Sequence, residues 1–440
     1  MVDAPDGASW GAFGVSLDID TGFCFHLRLT SSHDFIVRRR AVVRRTHVHD
    51  LIGASGGAAM PMILNEEQTM LKDSAREFCA NNAPIAQLRK LRDSNNVDAF
   101  DRDTWKGMVD LGWAGIPFPE EFGGLAFGYK GLGVVTEETG RTLTASPLLA
   151  SVWLCGTLIN MGGNAEQKST LLPAIASGER LLALALEESH RHNPYGAATT
   201  ATASGNGYVI NGNKTFVLDG NSAGQFIVVA RSSGNPGDRD GLSLLLVDRN
   251  ASGVAVNRTR MTDSRNTANV SFSNVQVPAS ALIGAAGHGA DILDPALDVA
   301  RIGLTAEMLG GLQECFERTV QYLKDREQFG VKIGTFQALK HRAADMFCEV
   351  ELAKSCVLEA LTALDEGREA KEVAKLASLA KAKVGDTYHR VSREGIQMHG
   401  GIGMTDEFDI GFFIKRAAVA EQTLGDANYH RNRYGDLEGY

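Results

Sequence analysis

The feature that most limits the fold is a change of hydrophobic period in mid-chain. From about residue 200 to 282 the sequence breaks into short β-rich runs, GYVINGNKTFVLDG, GQFIVVARSS, GLSLLLVDRN, GVAVNRTRM and NVSFSNVQVPA, each cut off by Gly, Asn, Asp or Ser. That spacing predicts antiparallel strands forming a small barrel or sandwich. On either side the period is helical. Residues 65 to about 185 carry apolar positions at helical spacing with glycine and proline as punctuation, as in TWKGMVDLGWAGIPFPEEFGGLAFG. Residues 291 to 424 return to long helices. In FQALKHRAADMFCEVELAKSCVLEAL the positions Leu339, Ala343, Met346, Val350, Ala353, Val357 and Leu361 step by three and four, making one apolar stripe. Four such helices joined by short turns read as a bundle. The expected fold is mixed α and β: an N-terminal all-helical domain over 60–183, a middle antiparallel β-barrel domain over 184–288, and a C-terminal four-helix bundle over 289–440.

The first 59 residues stand apart. They contain no lysine and no glutamate and show no sustained periodicity, so they read as an unstructured extension. Their arginines raise the idea of a transit peptide, against which the aspartates at 3, 6, 18 and 20 count. Met60 resembles a natural start, because Asn65 and Gln68 behind it have the spacing of a capping box. With 44% hydrophobic and 22% charged residues in 440, the chain is long and apolar enough for two or three domains, which excludes disordered and fibrous folds. A net charge of -9 argues against nucleic acid as the main partner, while leaving room for a local basic pocket for one phosphorylated ligand. The six cysteines are scattered without CxxC or a Cys/His cluster, which favours a reducing cytoplasm with neither structural disulfides nor a metal site. No apolar run is long enough to span a bilayer.

Two short stretches invite closer reading. In DREQFG, Arg326 falls in the last turn of a long predicted helix and Gly330 just beyond it, which reads as a C-terminus with a cation on the dipole and glycine at the cap. In QMHGGIGMTDEF, Gly400, Gly401 and Gly403 read as a turn between helices.

Taken in order with PFPEEFGG, VINGNKTFVLDG and VQVPASALIG, and with DREQFGVKIGTFQALKHRAADM extending the first stretch, these motifs resemble the acyl-CoA dehydrogenase family over essentially everything from Met60 onward. The resemblance implies FAD and α,β-desaturation of an acyl-CoA thioester. Such a reaction needs a carboxylate to take the α proton, and a flavin N5 to accept hydride from the β carbon. It also implies that Arg326, with Gln328 and Phe329 beside it, reaches a neighbouring subunit and holds the flavin pyrophosphate, for which a planar guanidinium is suited. Gln337 lies near the same cofactor, and Gln397, Gly400 and Gly401 pass close to the adenosine part of FAD bound mainly by another subunit. A homodimer or homotetramer follows from the resemblance, with an acyl-CoA substrate and an electron-accepting flavoprotein as further partners.

Departures from the family pattern fall at the chemistry. The usual base, a glutamate before glycine, is Leu424, and the other family position for it is Ala300, although Asp298 and Arg301 beside the latter match as substrate-binding residues. Glu421 and Asp426 are the nearby substitutes, each equally explained as a solvated charge at a helix end. The family's TEPGAGSD run is LEESHRHNP here, which puts Leu186 at a flavin-contacting threonine and retains Glu187; Phe216 and Leu218 replace the tryptophan and threonine of KxWxTNG. These changes resemble the small-subunit branch, such as that of pimeloyl-CoA dehydrogenase. The alternative expectation is therefore a base-deficient partner in a heterotetramer with a base-containing paralogue.

Overall fold

The computed structural model describes residues 63–440, and the expectations for 1–59 lie outside the described residues. The first helix, α1 (Glu66–Asn82), starts at the expected capping box. Asn65 Oδ1 accepts the Gln68 N–H at 2.7 Å, and Gln68 Oε1 accepts that of Asn65 at 3.1 Å, satisfying two N–H groups that the first turn would leave unpaired. Helices α2 (Ile85–Asp93), α3 (Arg102–Asp110) and α4 (Gly128–Arg141) follow. A wide π-type helical stretch over Leu148–Gly156 runs into α5 (Thr157–Gly162), and α6 (Ala165–Ala176) ends this helical part. Ser151 in the π-type stretch ties it to the first strand, its Oγ donating to the Leu182 carbonyl at 2.9 Å and accepting the Leu182 N–H at 3.0 Å.

Eight strands come next: β1 (Leu182–Ala185), β2 (Thr200–Ser204), β3 (Gly207–Leu218), β4 (Gln225–Arg231), β5 (Leu242–Asp248), β6 (Val254–Arg260), β7 (Asn266–Pro278) and β8 (Leu282–Ile283). They lie in the order β6-β7-β3-β2-β4-β5-β8, with β1 also on β4. The sheet departs from the wholly antiparallel barrel expected. β1 pairs β4 in parallel, from Leu182 opposite Gln225 to Ala185 opposite Val228, because the chain leaves β1 through a long excursion and comes back in the same direction. Among the described residues no pairing joins β6 to β8, so the sheet does not close. Phe226, Val228, Leu245, Val247, Val270 and Phe272 fill its own core.

The C-terminal part is built on α7 (Ala290–Asp325), against which α8 (Gln337–Asp365), α9 (Ala370–His399) and α10 (Ile410–Gln422) pack; a short α11 (Ala427–Glu438) leans on α9. The apolar stripe of α8 is buried from Met346 to Leu361, whereas Leu339 and Ala343 are only half-buried. Helix α7 is enclosed for most of its length, and two glycines permit its contact with α4. A Cβ at Gly310 would stand 1.8 Å from the Glu137 carbonyl, and one at Gly140 would stand 2.0 Å from that of Glu307, so the backbones meet where side chains would keep them apart.

DREQFG differs from its expected form. Helix α7 stops at Asp325, and Arg326 is already extended with φ -71° and ψ 128°. Glu327–Gln328 (β9) then pairs with Val331–Lys332 (β10) across Phe329 and Gly330, whose φ values of 54° and 77° are those of a tight hairpin turn. Gly330 therefore serves the hairpin and does not cap the helix.

A buried ion cluster joins the sheet to the helices. Arg416 in α10 donates to Asp263 at 2.9 Å and to both oxygens of Glu307 in α7 at 2.8 and 3.1 Å, and Arg265 approaches Glu307 at 2.8 Å. Removing Arg416 strands the buried Asp263 carboxylate and leaves Glu307 with Arg265 alone. Arg416→Met is expected to lower unfolding free energy by about 3–5 kcal/mol, read from denaturant midpoints. A loss too small to resolve would show that the cluster contributes little to holding the parts together.

Candidate functional site

Where the sheet meets α10 the described residues enclose a cavity of about 380 Å³, within the usual range for a small-molecule site. Leu184 and Leu186 line one side, continued by Phe216 and Leu218, and Leu154 of the π-type stretch adds to it. Val419, Thr423 and Leu424, at the end of α10, line it as well. The sequence-predicted Leu186, Phe216, Leu218 and Leu424 are thus brought together. Glu187, Ser189, His190, Arg191 and His192 add to the lining from the β1–β2 connection, and Met261, Thr262 and Thr267 from the β6–β7 turn and the start of β7.

Local structure aims these side chains. The β3–β7 register shifts between Lys214 and Val217, and Phe216 sits in the irregularity with φ 49°, half out in solvent. Lys214 is fully buried and donates to the Leu186 carbonyl at 3.0 Å and to Glu188 at 2.6 Å, pinning the start of the β1–β2 connection onto β3. Glu188 in turn accepts the backbone N–H groups of Ala198 and Thr199 at 2.8 and 3.0 Å, which anchors the far end.

Leu424 is buried and has φ 58°, a left-handed conformation uncommon for leucine. Its carbonyl is held by Arg301 Nε at 3.2 Å and lies 3.0 Å from His430 Nε2, while Lys381 Nζ donates to the carbonyls of Glu421 and Gly425, both at 2.8 Å. Burial pulls the Lys381 ammonium down to about 7 and holds His430 far below the usual imidazole range, with the Arg301 charge adding to the effect on both. Arg301 is also buried. It pairs with Asp298 at 2.8 Å and places Nη2 at 2.9 Å from His192 Nε2. His192 Nδ1 lies 2.5 Å from Glu187 Oε1, and burial lowers the His192 pKa against the opposing pull of Glu187.

The remaining sequence-predicted residues lie elsewhere. Ala300, Asp298 and Arg301 are buried in α7 and do not line the cavity. Glu421 lies 3.5 Å from His389, and Asp426 caps α11 by accepting the Tyr429 N–H at 2.7 Å, so neither lines the cavity either. Arg326, Gln328, Phe329, Gln337, Gln397, Gly400 and Gly401 are all exposed, around the ends of α7 and α9 and the start of α8. The first two ends are neighbours, since Tyr322 stacks on His399 with centroids 4.3 Å apart. The Arg326 guanidinium has no hydrogen bond or ion pair among the described residues, Phe329 is 90% exposed, and a Cβ at Gly401 would meet nothing of this chain within 4 Å.

The chain matches the N-terminal domain of acyl-CoA dehydrogenase over residues 65–179, its middle domain over 183–275 and its C-terminal domain over 287–436. It belongs to the acyl-CoA dehydrogenase family. An acyl-CoA dehydrogenase of Bacillus subtilis is 31% identical over 367 residues, 82% of this chain and 94% of that protein. Butyryl-CoA dehydrogenase from Megasphaera elsdenii superposes with a TM-score of 0.80 at 25% identity, covering 86% of this chain and all of that one. A chain of the ChsE4–ChsE5 complex from Mycobacterium tuberculosis superposes at 0.78 with 26% identity, covering 87% and 100%. For this family member, the residues that sequence reasoning missed are His192, Lys381, Tyr429 and His430; they come from three separate parts of the chain, and no local spacing marks them.

One titrating group adjoins the cavity. Asp219 lines a small neighbouring void that shares Leu218, Thr267, Val419 and Thr423 with the larger space. Burial pushes its carboxyl up to about 7 despite the charges of Arg265 and Arg416. Below about 3.9 the group is neutral in both folded and unfolded chains. Between there and 7 only the unfolded chain ionises, so folding becomes progressively less favourable as pH rises through that window. Asp219→Asn is expected to raise the melting temperature more at pH 8 than at pH 4.5. An equal shift at both would show that Asp219 ionises freely in the fold.

Proposed function

We propose that this chain is an FAD-dependent acyl-CoA dehydrogenase that carries out α,β-desaturation of an acyl-CoA thioester. The observation supporting this most directly is that the family's flavin-contact positions and its base position line one cavity. FAD fits the residues present. The apolar faces of Leu186, Phe216 and Leu218 suit a flat ring system even with two hydroxyl groups gone, and the exposed Arg326 and the open pair Gly400 and Gly401 suit a diphosphate and its nucleoside. When bound, FAD supplies the hydride acceptor. The chain's own residues supply the rest: the buried Leu154, Leu184, Leu186 and Leu424 keep water from the reacting carbons, and Arg301 and His430 fix the turn that carries Leu424. Asp298 holds the Arg301 guanidinium in its place.

Arg326, Gln328, Phe329, Gln337, Gln397, Gly400 and Gly401 would serve the cofactor of a neighbouring subunit, giving a homodimer or homotetramer, with electrons passing on to an electron-accepting flavoprotein. No helix among the described residues is long and apolar enough to cross a membrane. Arg326→Ala is expected to weaken FAD retention by about 10- to 100-fold, as for a lost charge-assisted hydrogen bond, with little change in melting temperature. Unchanged flavin content after gel filtration would sink this assignment.

A second reading is favoured by one observation: Leu424 fills the base position with a buried apolar side chain. On that reading the chain is a base-deficient partner in a heterotetramer with a base-containing paralogue, as the likeness to a chain of the ChsE4–ChsE5 complex supports. Purified alone, a catalytic chain is yellow and loses its flavin colour with acyl-CoA, whereas a partner subunit does not. Leu424→Glu tests the same point. The new carboxyl would sit in an apolar pocket at raised pKa, so the variant is expected to melt lower yet to reduce flavin faster with acyl-CoA. A variant with neither change would show that position 424 does not face the reacting carbons.

A further inference from the structure

If the chain reduces flavin, some group other than residues 424 and 300 must take the α proton. Glu187 is the one carboxylate among the residues lining the cavity. Its side chain remains about one-fifth exposed, with Oε1 at 2.5 Å from His192 Nδ1 and Oε2 accepting the Asn193 N–H at 3.3 Å. The other imidazole nitrogen, Nε2, faces Arg301 Nη2 at 2.9 Å. A guanidinium has only hydrogens to offer, so Nε2 must be the acceptor and the ring proton must sit on Nδ1, donating to Glu187. His192 is itself buried, its ring edge-on to Tyr429 with centroids 4.8 Å apart. The same Arg301 donates to the Leu424 carbonyl at 3.2 Å. One guanidinium therefore ties the Glu187–His192 pair to the backbone of the family's base position.

We propose that Glu187 is the proton acceptor of this cavity and that His192 is its positioning residue. The proposal rests on the dehydrogenase reading above. The α C–H bond breaks and its proton goes to a Glu187 carboxylate oxygen. The electron pair left behind forms the new carbon–carbon double bond as the β carbon gives up hydride to FAD, the oxidant. The enoyl thioester leaves, and the Glu187 carboxylic acid returns its proton to water at the exposed rim beside Ser189 and His190. His192 keeps the carboxylate fixed in the meantime, because its tautomer is locked by Arg301.

The test is exchange of the thioester's α protons in D2O by the FAD-loaded protein, with any subunit that co-purifies. Butyryl-CoA, isovaleryl-CoA and octanoyl-CoA are the probes, followed by mass spectrometry beside anaerobic flavin reduction. Glu187→Gln is expected to slow both by about 100-fold or more while FAD content and melting temperature hold, and Glu187→Asp should keep part of the rate. Glu421→Gln and Asp426→Asn should leave it unchanged. His192→Ala should slow exchange by about 10-fold, and His192→Asn, which keeps a donor near Nδ1, should restore most of it; a merely structural role would show no such rescue. Exchange that survives Glu187→Gln overturns the proposal. So does a parent protein that holds FAD yet exchanges none of the three thioesters, whereas a protein that binds no FAD refutes the dehydrogenase reading itself.

Discussion

A guanidinium buried in mid-molecule has to find acceptors on every side, and Arg301 finds them on three separate parts of the chain. Asp298 neutralises it from its own helix, His192 meets it from the β1–β2 connection, and the Leu424 carbonyl meets it from the turn after α10. Leaving any of these unmade would strand a desolvated charge, which costs far more than the net gain of a typical hydrogen bond. The relative placement of the loop and the turn, and so the shape of the cavity between them, follows from satisfying this one group. Asp298 is steadied in turn by Arg433 of α11 at 2.7 Å, which makes the short last helix part of the same support.

Strain gathers around the same space. Phe216, Asp219 and Leu424 have φ values of 49°, 52° and 58°, and all three border the large cavity or the void beside it. Each left-handed non-glycine residue costs on the order of 1 kcal/mol or more and persists only where its surroundings over-determine it. Here those surroundings are visible: the irregular pairing of β3 with β7, and the donors gathered on the Leu424 turn. The turn at Leu424 is held by two buried donors, Arg301 on its own carbonyl and Lys381 on the carbonyls of Glu421 and Gly425.

The two functional faces differ in how the chain treats them. The cavity has a buried floor of Leu154, Leu184, Leu186 and Leu424 and an exposed rim at Ser189, His190 and Phe216. The outer face is left unfinished, with an unpaired arginine, a nearly naked phenylalanine and a glycine whose missing side chain nothing in the chain requires. A chain that spends nothing of its own on Arg326 keeps that charge available to a ligand or a neighbour.

Much of this was legible in the sequence, and for identifiable reasons. Periodicity and caps are local, so the helical blocks, the β-rich middle and the start of α1 at Asn65 could be read residue by residue, and family motifs placed Leu186, Phe216, Leu218 and Leu424 at one site. The parallel seating of β1 on β4, the hairpin that Gly330 serves and the open edges of the sheet depend on which distant strands meet, and no local pattern encodes that. Sequence alone also determined that Leu424 cannot take a proton. That Glu187 lies on the cavity, with His192 locked behind it by an arginine 109 residues away, was decided only by the tertiary structure, because a buried charge chooses its partners by proximity in space and not by distance along the chain.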